Sequence, residues 1–202
     1  MKSQTPRFHD QRSFSLIKVS IVTAIVLLVA IIGIPAICSY VIENKVPKVG
    51  EELQRFIART KTNAQGAGTA PYAGVDTGIL AHALRDSSVV TVTGQGAAAL
   101  VVHGLGGNGS AGNGTISLAP ASIAGGGLGS GFSLTLTTVN NAASPALASV
   151  MQRVSEIIAV EGSSERQTVK DTSSTPPLGY SAALVESLCA SGDKNTFVFT
   201  AR

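Results

Sequence analysis

The chain has 202 residues, enough for one domain with an anchor, and a net charge of +3. Lys and Arg form no dense stripe outside the N-terminus, so charge gives no support for nucleic-acid binding. Charged residues make up 13%, against roughly 25% in soluble globular chains, and the 22 Gly with 4% aromatics and no Trp describe a domain with many tight turns and a thin core.

Lys2, Arg7, Arg12 and Lys18 are opposed at the N-terminus only by Asp10. An uncharged apolar run follows, Val19 to Val41. As a helix it reaches roughly 34 Å, against about 30 Å of bilayer hydrocarbon. Within it, Ser20, Thr23 and Ser39 are expected to return their hydroxyls to the helix backbone. The positive-inside rule keeps the N-terminus in the cytoplasm and sends the following domain across. A cleaved secretory signal would have an apolar core of about 7 to 15 residues and an A-x-A-like site. This run is longer and continues into SYVIENKVPKVGEEL, so a retained anchor is expected.

The helix is expected to continue past the membrane. Val46, Val49, Leu53, Phe56 and Ile57 recur at three- and four-residue spacing, one apolar stripe. Glu51 and Arg55 form an i,i+4 pair. Pro47 and Gly50 are expected to kink or loosen this stretch.

Residues 64–78 then read as a loop and Ile79 to Arg85 as a short helix. Val89 to Val92 and Ala99 to His103 read as strands joined through Gly94 and Gly96. Two further strands are expected, Thr115 to Leu118 and Phe132 to Thr138, the second with strict alternation. Pro145 opens a helix through Val154, with Ser144 as its N-cap. Glu156 to Val160 is a strand, Ser163 to Tyr180 an exposed polar loop, Tyr180 to Cys189 a helix, and Thr196 to Thr200 the closing strand. Strands and short helices without strict βαβ alternation give an α+β fold. The sheet is mainly antiparallel, and the long N-terminal helix is packed on one of its faces.

No catalytic constellation emerges. Acidic residues in the head are sparse and mostly isolated, and His9, His82 and His103 read as lone surface or half-buried histidines. GLGGNG (Gly104 to Gly109) fits G-x-G-x-x-G, but turn residues and a strand follow it where a dinucleotide site needs a helix. Asn108 and Asn113, each followed by Gly, favour tight turns instead. No cofactor and no metal are expected. Cys38 lies in the apolar run, so Cys38 and Cys189 are expected to be unpaired within a monomer.

FSLIK (Phe14 to Lys18) followed by an apolar helix resembles the N-terminus of type IV pilins, whose mature chains begin with a pattern like F-T-L-I-E. Ala24, Ile25, Pro35 and Ala36 fall at the family's spacings from Phe14, including its helix-kinking proline. A short basic leader, residues 1–13, precedes Phe14 as in prepilins. LQRFIARTKTNAQG, TGILAHALRDSSVV and the C-terminal ALVESLCASGDKNTFVFTAR resemble the type IVb branch, the PilS and toxin-coregulated pilin group. The resemblance touches most of the chain, with residues 94–131 uncovered.

It implies three parts: a leader over 1–13, an N-terminal helix over 14–63 with its span at 19–41, and a globular α+β head over 64–202. It implies a structural subunit, not an enzyme, that assembles through its apolar helix into a pilus or secretion pseudopilus. Cleavage by prepilin peptidase would fall between Ser13 and Phe14, and Phe14, Lys18 and Pro35 would serve assembly. The other partners would be further pilin subunits and the bacterial inner membrane. The head would be periplasmic, and extracellular once in a pilus.

Three departures are atypical. Ser13 stands where the family's leader usually ends in Gly. Lys18 stands where the family has Glu, the residue that pairs with the α-amine of a neighbouring subunit. The family's head usually has a disulfide, and Cys189 has no second cysteine there. A minor, tip or initiating subunit, never docked beneath another's amine, would tolerate Lys18. The alternative is a single-pass inner-membrane protein with a non-polymerising periplasmic binding domain, in which Lys18 snorkels toward the headgroups.

Overall fold

The computed structural model describes residues 16–64 and 68–202, with Pro35 and Ala36 described by their backbone alone. The chain divides into two compact units, Met1–Cys38 and Ser39–Arg202. One helix, α1 (Leu16–Ala64), runs through both. It continues unbroken at Pro35, Pro47 and Gly50, where the sequence predicts a kink or loosening. Gly50 has a packing role instead: a Cβ there would lie 2.5 Å from Val150 Cγ1, so glycine lets the facing helix approach.

The second unit carries three short helices, α2 (Thr77–Leu84), α3 (Ser144–Met151) and α4 (Ala182–Leu188). It carries seven strands, β1 (Thr91–Thr93), β2 (Leu100–Val102), β3 (Thr115–Ala121), β4 (Gly131–Asn140), β5 (Ile157–Glu161), β6 (Gln167–Asp171) and β7 (Asp193–Ala201). They form one sheet in the order β1-β2-β3-β4-β7-β5-β6, with every pairing antiparallel. The C-terminal strand β7 therefore lies in the middle. It joins the β1–β4 meander to the β5–β6 hairpin.

Alternation places Phe132, Leu134 and Leu136 of β4 on the buried side, opposite Ala201, Phe199 and Phe197 of β7. Ile158 and Val160 of β5 pair with the same Phe199 and Phe197. Phe197 and Phe199 stack with ring centroids 5.8 Å apart, and Tyr72 meets Phe132 at 4.9 Å. Val46, Val49, Leu53, Phe56 and Ile57 of α1 belong to the same core, at most 4% exposed. The α1 stripe and the sheet's apolar face thus bury each other, which neither does alone.

Four local expectations need correction. Ser144 is not an N-cap: it lies inside α3, buried, with its hydroxyl donating to Asn140 O at 3.0 Å, and Ala143 takes the cap position without a side-chain bond. The helix ends at Met151, not Val154. Ser163 to Tyr180 is not all loop, because β6 lies within it and buries Val169. His103 is neither surface nor half-buried but fully buried. The Asp76 carboxylate, unmarked in the sequence reading, caps α2 by accepting from Ile79 N–H at 3.0 Å.

Candidate functional site

The first half of α1 is the feature that needs a function. Every described large apolar side chain from Leu16 to Ile37 is exposed. A helix apolar on all sides is stable only in lipid or against other apolar helices. By length and composition α1 can cross a membrane. Thr23 Oγ1 donates to Val19 O at 2.9 Å, so this hydroxyl costs nothing in a dry surrounding. Lys18 is exposed in the first turns of the described helix. Pro35 lies within α1. Ser13 and Phe14, the expected cleavage pair, lie outside the described residues.

The second half of α1 is fixed to the head by polar contacts besides its stripe. Gln54 Nε2 donates to Val150 O at 2.6 Å, and Lys61 Nζ to Val154 O at 3.1 Å. Lys170 Nζ on β6 donates to Ser155 O at 2.6 Å and also reaches Gln152 O. Two ammonium groups thus take the carbonyls at the end of α3, where helical partners run out. Burial pushes the Lys170 pKa down, Glu156 nearby raises it, and Lys61 lowers it. The Arg55 pairs with Glu51 (3.0 Å) and Glu52 (3.4 Å) are exposed and contribute little.

Two polar head residues are buried and fully bonded: Asn195, to which sequence reasoning assigned no role, and His103, to which it assigned a surface or half-buried place. Asn195, on β7, donates to Val139 O (3.1 Å) and Ala190 O (3.0 Å) and accepts from Ala190 N–H (2.7 Å). It sits where the β4–β7 register shifts, so its amide fills the bonding that the ladder loses. It also holds the chain immediately after Cys189. His103 is the second, with both ring nitrogens engaged. Both are polar residues in or beside strands, and only their tertiary neighbours distinguish them from surface residues.

Cys38 is exposed and Cys189 half-buried, and both are free thiols. Burial pushes the Cys189 thiol pKa up, a Ser144 hydrogen bond opposes this, and Glu186 adds to the rise. At neutral pH Cys189 is therefore expected to be protonated and slow to react. Thiol labelling of native, unreduced protein in detergent should modify Cys189 only slowly, with full reaction on denaturation. Faster labelling of Cys189 in the native protein would contradict this.

Among the described residues no three His, Cys, Asp or Glu side chains group as a metal site. The glycines of GLGGNG take positive φ at Gly104, Gly106, Gly107 and Gly109, and the chain then turns into β3. No helix begins there to face a pyrophosphate.

A family model described as PilS N terminal matches residues 44–202. Among solved structures, the crystal structure of the type IVb pilin from Salmonella typhi is similar at 23% identity and a TM-score of 0.49, covering 75% of this chain and 94% of that chain. No curated protein matches the chain. The family match spans well over half of the sequence, taking in the second half of α1 and the whole sheet, and the chain belongs to the PilS family.

Proposed function

We propose that this pilin is a minor or atypical subunit, stored in the bacterial inner membrane and assembled through α1 into a pilus or secretion pseudopilus. The observation that carries this reading is the division of labour along one helix. Its first half leaves its large apolar side chains exposed, while its second half is built into the head's core. A helix fastened at one end and unsatisfied at the other is suited to exchange lipid for other helices without unfolding the head. Ala24, Ala30, Gly33 and Ala36 are small enough for close helix approach in such a core.

In this reading residues 1–13 are a leader, 14–63 the helix with its span at 19–41, and 64–202 the head. The N-terminus is cytoplasmic and the head periplasmic, then extracellular after assembly. Prepilin peptidase cuts between Ser13 and Phe14, and Pro35 shapes the packing helix. Lys18 restricts the subunit to positions where no neighbouring α-amine must dock beside it.

Intact-mass measurement and N-terminal sequencing of the membrane-extracted protein test this directly. A chain beginning at Phe14 supports the pilin pathway. An uncut chain in cells with active peptidase supports the non-polymerising anchor. Ser13→Gly should raise the processed fraction, because glycine lets the backbone adopt more conformations in a protease groove. The protein should also resist carbonate extraction, since the span carries no charge. Release without detergent would mean that the apolar helix had been removed.

A further inference from the structure

We propose that His103 is an acid-sensitive latch: neutral, it pins the Gly104–Gly114 segment to β4, and protonated, it lets that segment open while the sheet persists. The idea is independent of whether α1 assembles.

His103 is 0% exposed. Nε2 lies 2.9 Å from Thr137 O, a group that only accepts, so Nε2 carries the hydrogen. Nδ1 accepts from Leu105 N–H at 3.0 Å, so it must hold its lone pair. These two bonds fix the neutral ring and its tautomer. Leu105 is clamped from the other side too, because its carbonyl accepts from Asn140 N–H at 2.8 Å and its side chain is fully buried.

Further bonds tie the segment to β4 and β7. Gly107 N–H donates to Asp193 Oδ2 at 2.9 Å. Gly114 N–H donates to the hydroxyl of Thr138 at 2.6 Å, and Thr138 holds the left-handed φ of 54°. Gly106 could carry no side chain, since a Cβ would lie 2.5 Å from Thr138 O. The two ends of the segment are thus held against β4 and β7, while Asn108 to Asn113 between them bond to one another.

A second proton on His103 would set Nδ1–H against Leu105 N–H, two donors face to face, at a fully buried ring. The ring must then swing out, and Leu105 loses its clamp. β2, β3 and β4 bring no titratable side chain to the ring. From β7, Asp193 favours the imidazolium, with Lys194 beside it. From α1, Lys45 opposes it, its Nζ lying 3.6 Å from where a Cβ of Gly104 would be. Burial outweighs the Thr137 bond and Asp193 and lowers the His103 pKa. Because the folded value lies below the unfolded one, the stabilisation is complete above about pH 6.5. It is lost as pH falls from there to the folded value.

Hydrogen exchange of the full chain in detergent, followed across pH by mass spectrometry, tests the latch. After correction for intrinsic rates, opening of residues 104–114 should rise by up to about tenfold per pH unit below pH 6.5. The β4–β7 amides should stay protected over the same range. His103→Gln keeps a donor and an acceptor but cannot titrate, so its profile should be flat. A wild-type segment with no pH response would overturn the proposal. So would a His103→Gln protein that opens at the wild-type pH. Should His103→Gln not fold, the wild-type imidazole resonances decide. Titration coincident with loss of Leu105 protection supports the latch, and titration near pH 6.5 with Leu105 still protected refutes it.

Discussion

Lys18→Glu is expected to raise the amount of this protein recovered in sheared filaments, relative to its membrane pool, by about fivefold to a thousandfold. In a processed chain Phe14 would carry a free α-amine. A glutamate four residues on attracts a neighbour's amine, whereas Lys18 repels it. The repulsion amounts to about 1 to 4 kcal/mol at effective dielectrics between those of water and a protein surface, and this range converts to the fold-change given. Lys18 is exposed on α1, so the substitution alters charge without disturbing the head's core. Lys18→Gln should give an intermediate value, because it removes repulsion without adding attraction. Unchanged incorporation of a fully processed Lys18→Glu protein would reduce Lys18 to a snorkelling edge residue, and the argument for a minor subunit would lose its main support.

Asn195→Ala should destabilise the head by about 3 kcal/mol, because it leaves buried backbone groups of Val139 and Ala190 without partners. That is a large share of the roughly 5 to 15 kcal/mol typical of a domain. For a domain of this size it should lower Tm by roughly 6 to 12 °C. Asn195→Asp should be comparably damaging. It keeps the acceptor for Ala190 N–H but removes both donors and buries a charge. Lys194→Ala, one residue away and exposed, serves as the control and should stay within about 0.5 kcal/mol. Denaturant unfolding of the three variants in one detergent would measure this. An Asn195→Ala protein within 1 kcal/mol of wild type would show that the register shift between β4 and β7 does not depend on this amide.

Periodic elements were legible from the residues. The stripe from Val46 to Ile57 and the alternation of Phe132, Leu134 and Leu136 appear in the structure as buried faces of one core. Both are long enough for their period to stand out against composition. β6 was not legible, because only Val169 of its five residues is buried. An edge strand tolerates polar groups on both faces and along its open side, so its residues read as loop. Ser144-Pro145 looks like a cap followed by a first-turn proline. The cap fell one residue earlier because the chain had already turned at Asn140 to Ala143, where Ala143 N–H donates to Asn140 O.

The apolar anchor, the basic residues before it and the pilin pattern from Phe14 follow from local order alone. Their physics needs no partner within the chain: a long uncharged run requires a dry surrounding wherever the head lies. The place of β7 between β4 and β5 does not follow from local order, because strands of similar apolar content compete for the same neighbours. Pairing is settled by which side chains meet across the sheet, here Phe197 and Phe199 against Leu134, Leu136, Ile158 and Val160. His103 and Asn195 depend on the same long-range closure. A polar side chain is acceptable in a core only when specific donors and acceptors converge on it, and those of Leu105, Thr137, Val139 and Ala190 converge only once the sheet has formed.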